Sequence, residues 1–179
     1  MKKTWLLVLS FFISLPFYGQ QEWKQTIVDN SLTISTPFEI HSLDLGLDEE
    51  TQKKLDKYIT FSGQDSLQTF MVMVISALYK PPITTNVSGA LNGSIDNLKG
   101  SGKNTVQYEQ HSLNDFGIEG ISVIGQIEDN TSGEKSFIYG YYYGKDNKYW
   151  NILILFFTDN QENRDKALKV YQSIRITGN

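Results

Sequence analysis

The residues best suited to do chemistry in this chain are aromatic. Tyr139, Tyr141 and Tyr143 alternate along one segment and share one parity of an extended strand, with Ile138, Gly140 and Tyr142 on the other. Tyr149 and Trp150 open the next segment across a short turn, so several rings are expected side by side on one sheet face. Such an array stacks on sugars or fills a partner's pocket. It equally suits cross-strand pairs packed beneath the closing helix. Gly140 leaves a gap in this wall, where a ligand or a helix is expected to approach. The candidate binding set is therefore Tyr139, Tyr141, Tyr143, Tyr149 and Trp150.

Other chemistries find less support. His41 and His111 are the only histidines, Ser42, Ser112 and Asp115 are merely their sequence neighbours, and no G-x-S-x-G elbow occurs. The lack of cysteine and of an H-E-x-x-H pair removes thiol catalysis and the usual zinc signatures. Gly100-Ser101-Gly102-Lys103-Asn104-Thr105 resembles the end of a phosphate loop, but Asn97 replaces the first glycine and the motif follows a helical segment instead of preceding one. A glycine helix stop explains it better. Asp129 to Glu134 carries oxygen ligands that calcium favours, yet lacks the distant bidentate glutamate of an EF-hand and suits a hairpin turn. Catalytic residues, metals and cofactors are therefore assigned to none of these, and the expectation is a non-enzyme.

The first residues give an address. Lys2 and Lys3 precede an apolar run from Trp5 to Leu15, broken by Pro16 and closed by Gly19, the layout of a cleavable secretory signal over residues 1–19. Its removal takes the formal charge from −4 to −6. No basic stripe remains to displace phosphate counterions, which argues against nucleic acid. No second long apolar run follows, so no integral membrane span is expected after cleavage. Residues 20–179 have the length of one ordinary domain, held without disulfides by its core.

The positioning elements can be read from periodicity. Lys24 to Val28 and Leu32 to Ser35 flank Asp29-Asn30 as a hairpin, and Asp48 to Lys57 reads as a short surface helix. Leu67 to Tyr79 is apolar at both parities, so each face of its sheet needs a cover. Val87, Leu91, Ile95 and Leu98 recur at helical spacing after Asn86, with Gly89 and Gly93 suggesting close packing on a sheet. Strands over Val106–Gln110, Gly120–Ile127, Phe137–Tyr143 and Tyr149–Thr158 follow, the last three as an antiparallel meander. A helix over Asn160–Ser173 closes the chain, with Asp159 and Glu162 as its capping box. Together these predict an α+β domain, an antiparallel sheet flanked by helices on both faces in α/β/α layers.

The same order of elements resembles the PsbP-like superfamily. The resemblance rests on the hairpin leading into Thr36-Pro37-Phe38-Glu39-Ile40, the mid-chain helix, the meander through Phe137-Ile138-Tyr139-Gly140-Tyr141 and Trp150-Asn151-Ile152-Leu153, and Ala167 to Ile174. That group includes an extrinsic photosystem subunit, a Ran-binding import regulator and bacterial DcrB-type envelope proteins. It implies a shared architecture and an accessory or docking role. The expected function is thus an exported envelope protein, periplasmic or extracellular, that docks onto an envelope protein partner. A small-molecule or glycan-binding module using the aromatic face is the alternative.

Overall fold

A computed structural model describes residues 22–177, and the expected signal peptide lies outside them. The chain runs β1 (Lys24–Asp29), β2 (Leu32–Thr36), β3 (His41–Ser42), α1 (Glu49–Lys54), β4 (Leu55–Gln64), β5 (Phe70–Tyr79), α2 (Val87–Lys99), β6 (Asn104–Asp115), β7 (Ile118–Asp129), β8 (Lys135–Lys145), β9 (Lys148–Phe156), α3 (Gln161–Ser173) and β10 (Arg175–Ile176). Seven strands form an antiparallel sheet in the order β3-β4-β5-β9-β8-β7-β6. The amino-terminal hairpin stands apart from it, making a small sheet β1-β2-β10 with the last strand.

Alternation within the strands sorts the core into two sides. Phe70, Val72 and Val74 of β5, Tyr141 and Tyr143 of β8, and Trp150, Ile152, Ile154 and Phe156 of β9 pack against Val28, Leu32 and Ile34 of the small sheet and Ala167, Val170 and Ile174 of α3. On the opposite parity, Ala77, Val123, Tyr142 and Tyr149 meet Leu91 and Ile95 of α2. Fully burying side chains of this size contributes about 1.5–3 kcal/mol each, which is what holds α2 to the sheet. The expected layering is therefore met in a coarser form, α+β with antiparallel strands. The cover beside α3 is in large part a second sheet, because the hairpin pairs with β10 and the chain joins the main sheet only after Pro37, at β3.

Local chemistry sets the helix ends. The Asn86 side chain accepts from the Gly89 N–H at 2.9 Å, and Gly100, left-handed at φ 54°, ends α2. The helix α3 is capped by Asn160, whose Oδ1 accepts from the Asn163 N–H at 2.8 Å. Asp159, expected in that role, instead takes a bidentate pair from Arg164 at 2.6 Å in each contact. Asp48 caps α1, which ends early because Leu55 already pairs with Tyr79 in the sheet. Close packing at the α2 glycines is not found: a Cβ on Gly93 would meet nothing within 4 Å, and one on Gly89 would meet only its own cap, Asn86.

Candidate functional site

Strand register decides the fate of the aromatic wall. Tyr143 lies directly opposite Trp150, Tyr141 opposite Ile152 and Tyr139 opposite Ile154, all facing the α3 side. Tyr149, adjacent to Trp150, points the other way, to the α2 side with Ala77 and Tyr142. The structure thus brings together four of the five candidates. Tyr141, Tyr143, Tyr149 and Trp150 are all buried, leaving only Tyr139 partly exposed. The gap expected at Gly140 is filled by a neighbouring ring: a Cβ there would lie 2.8 Å from Cε2 of Tyr142. That tyrosine's hydroxyl bonds Ser94 of α2 at 3.1 Å.

The wall is covered by α3 and tied to a carboxylate. Tyr171 of α3 stacks on Tyr141 with ring centroids 4.4 Å apart. The hydroxyls of Tyr143 and Tyr171 both donate to Oδ2 of Asp115, at 2.9 and 2.8 Å. Burial, reinforced by Asp115, pushes the Tyr171 phenol up to about 12, and the same causes raise Tyr143. Both phenols therefore stay protonated donors near neutral pH. Phe116, left-handed at φ 59° in the β6–β7 turn, lays its edge on the Tyr143 ring.

Trp150 leads to a polar cluster that sequence reasoning missed. Its indole N–H donates to Ser31 Oγ at 3.2 Å, and Lys148 Nζ contacts the same oxygen. Ser31 Oγ–H in turn donates to Asp29 Oδ1 at 2.7 Å, an oxygen that also accepts the N–H groups of Ser31 and Leu32 at 2.6 and 2.8 Å. The other carboxylate oxygen accepts from Ser76 Oγ of β5 and lies 3.3 Å from Lys148 Nζ. The Asp29 side chain is 4% exposed. A serine beside a lysine invites comparison with a Ser–Lys nucleophile, but here the hydroxyl proton is committed to Asp29 and the ammonium to an ion pair. The cluster is a clamp, fixing the β1–β2 turn to β5 and β9.

The carboxyl at its centre reports the clamp through pH. Burial pushes Asp29 up, yet the Ser76 and Ser31 hydrogen bonds and the Lys148 charge outweigh it and hold the group at about 2. A folded-state value below the unfolded one means stability that is complete above pH ~4 and lost as the pH falls toward 2. Its size is roughly 2 kcal/mol after allowing for solvent screening at the turn. Urea midpoints measured between pH 5 and pH 2 should fall accordingly, and the Asp29→Asn chain should lose that part of the slope.

Other sequence candidates remain apart. His41 is exposed at one sheet edge. His111 is exposed within β6, with Nε2 3.9 Å from Glu109. Ser112 points to the opposite face from His111, so no triad forms. Asp129 spends its Oδ1 on the N–H groups of Thr131 and Ser132, as a hairpin turn does. No group of His, Asp and Glu among the described residues is arranged to hold a metal. A groove of about 640 Å³ at the start of α2 is lined by Thr85, Asn86, Ser112 and Glu119, with Asn86 already used as a cap.

Beyond Tyr171 the sheet emerges from under α3. Ile124 of β7 stands opposite Tyr139 on that face and is 44% exposed. Leu168 of α3, 49% exposed, lies on the helix flank between Arg164, whose charge reaches Tyr139, and Tyr171 on Tyr141. Ile124 and Tyr139 therefore form an apolar strip on the open wing of the sheet, and Leu168 is exposed on the helix that covers Tyr141.

The architecture has counterparts among solved structures. The solution structure of cyanobacterial PsbP (CyanoP) from Synechocystis superposes with a TM-score of 0.60 at 12% identity, covering 89% of this chain and 95% of that one. The fold is PsbP-like. A Pseudomonas aeruginosa protein of unknown function, PA94, gives 0.48 at 8% identity over 88% and 98% of the two chains. A Bacteroides thetaiotaomicron structure gives 0.41 at 10% identity over 82% and 45%. No protein-family profile and no curated protein sequence matches. No helix among the described residues is long and apolar enough to cross a membrane.

Proposed function

We propose that this chain is a non-enzymatic exported accessory protein of a bacterial envelope, which docks onto another envelope protein through the strip of Ile124 and Tyr139, with Leu168 of α3 at its margin. The observation that carries the reading is the exposure of Ile124 directly opposite a partly exposed tyrosine, while the neighbouring rings are sequestered by α3. An apolar centre beside Glu109, which lies opposite Ile124, and beside His111 has the composition of a protein-recognition patch. The partner it fits presents an apolar side chain between polar groups. The amino-terminal signal in the sequence and the PsbP-like architecture support an extracytoplasmic accessory role.

The test is crosslinking in source cells with a photoreactive residue at Tyr139. Capture of one stoichiometric envelope protein, weakened at least about tenfold by Ile124→Asp or Leu168→Asp with the circular dichroism unchanged, is the expected result. Capture that both substitutions leave intact overturns this docking surface. The glycan alternative has only Tyr139 of the five rings partly accessible. A titration with cell-wall sugars that shifts tryptophan fluorescence, and does so equally in both variants, would favour that reading over the docking one.

A further inference from the structure

Strand β6 is the last of the seven-stranded sheet, and no other strand among the described residues pairs with its outer side. All of its residues from Asn104 to Asp115 pair with β7 in one unbroken register without a bulge. Between those ends there is no lysine and no proline, and residues 107–112 are all exposed. Sheet edges are normally shortened, bulged, charged or covered, since their free N–H and C=O groups recruit other strands. The opposite edge obeys that rule: β3 has two residues, and the β4 behind it carries Asp56 and Lys57. β6 is long, straight and uncovered, and its only charged carboxylates are Glu109 and Asp115.

We propose that β6 is an interface for a second copy of this chain, which adds its own β6 antiparallel across a two-fold axis at Gln110. Symmetry and side-chain alternation restrict the choice. A two-fold axis normal to the sheet keeps each side chain on its face, so one residue must lie opposite itself. Centring on Glu109 would set two carboxylates against each other, a destabilising arrangement. Centring on Tyr108 places Glu109 opposite Gln107, and centring on His111 places it opposite Leu113. The Gln110 centre instead sets Glu109 opposite the second copy's His111, twice by symmetry, and one amide opposite another at the axis. Glu109 and His111 already share a face, with His111 Nε2 3.9 Å from Glu109 Oε2. On the other face Tyr108, 38% exposed, comes to lie across from the second copy's Ser112. Two seven-stranded sheets thereby become one continuous sheet, and the two apolar strips lie on its same face.

A single introduced cysteine reads the register, because the chain has none of its own. Directly opposed residues of antiparallel strands have Cα atoms about 4.5–5.5 Å apart, within reach of a disulfide. Gln110→Cys should therefore form a covalent dimer under mild oxidation, whereas Tyr108→Cys should not. By sedimentation equilibrium the unmodified protein should show twice the monomer mass. Glu109→Lys should shift it to monomer by at least about tenfold in dissociation constant, and Glu109→Lys with His111→Glu should restore the dimer. These side chains are exposed, so circular dichroism and thermal unfolding should match the unmodified chain. A monomer at every accessible concentration overturns the proposal, as does a dimer indifferent to Glu109→Lys or one crosslinked through Tyr108→Cys in preference to Gln110→Cys.

Discussion

Asp29→Ala should lower the free energy of unfolding by about 3–5 kcal/mol, the range for removing one partner of a buried ion pair. The carboxylate receives two backbone N–H groups, two serine hydroxyls and one ammonium, so its loss leaves five donors without their acceptor in a turn closed off by β5 and β9. For a domain whose total stability is of the order of 5–15 kcal/mol, that is a large share. Urea unfolding followed by circular dichroism gives the number. Asp29→Asn should lose less, because an amide oxygen still accepts the Ser31 and Leu32 N–H groups while the charge on Lys148 goes unanswered. Adding Lys148→Met to Asp29→Ala should return part of the deficit by removing the orphaned ammonium. A loss under about 1 kcal/mol for Asp29→Ala would place the pair with solvent-screened surface bridges and remove the clamp from the account.

Trp150→Ala should cost about 3–5 kcal/mol, as large aromatic truncations in packed cores do. The ring is buried, stands opposite Tyr143, and ties its N–H to Ser31 of the small sheet. Its removal both opens a cavity and cuts one strut of the clamp. Tryptophan fluorescence separates the site from the rest of the chain, since the remaining described indole, Trp23, lies under Lys169 with the ammonium 4.2 Å from its ring. A Trp150→Ala protein as stable as the parent would mean that the ring is not core, and would reopen the aromatic wall as a ligand surface. With the expected outcome, lost binding in that variant reports lost structure.

Much of the scaffold was legible because short-range chemistry determines it. Asn86 and Gly100 bracket α2, and the 3.6-residue spacing of Val87, Leu91, Ile95 and Leu98 gives its buried stripe. Polar turns separate β7, β8 and β9 as expected, and β5 is buried on the parity of Phe70, Val72 and Val74 but, Ala77 apart, only half-buried on the other. The candidate site was less legible. Period-two alternation puts Tyr139, Tyr141 and Tyr143 together, but the same rule forbids adjacent Tyr149 and Trp150 from sharing a face. Whether such a wall is bare or covered depends on where α3 lands, and the Tyr141–Tyr171 stack joins residues far apart in sequence. The clamp joins Asp29 to Ser76 and Lys148, and no local pattern announces such distant partners. The separation of the hairpin from the main sheet likewise depends on β10, two residues with no periodicity to read.

That terminal strand bears on the order in which the molecule is assembled. β2 is the middle strand of the small sheet, flanked by β1 on one side and by Arg175–Ile176 on the other. Leu32 and Ile34 are fully buried and Ile176 nearly so, all in the same core as Trp150 and Phe156. A chain made from its amino terminus can form the first hairpin and the meander early, but the β2 edge stays open until the final strand arrives. Closure of so long a loop is entropically late and slow. The small sheet, and the face of the core that it covers, is therefore the last part of the fold to be completed, after the seven-stranded sheet.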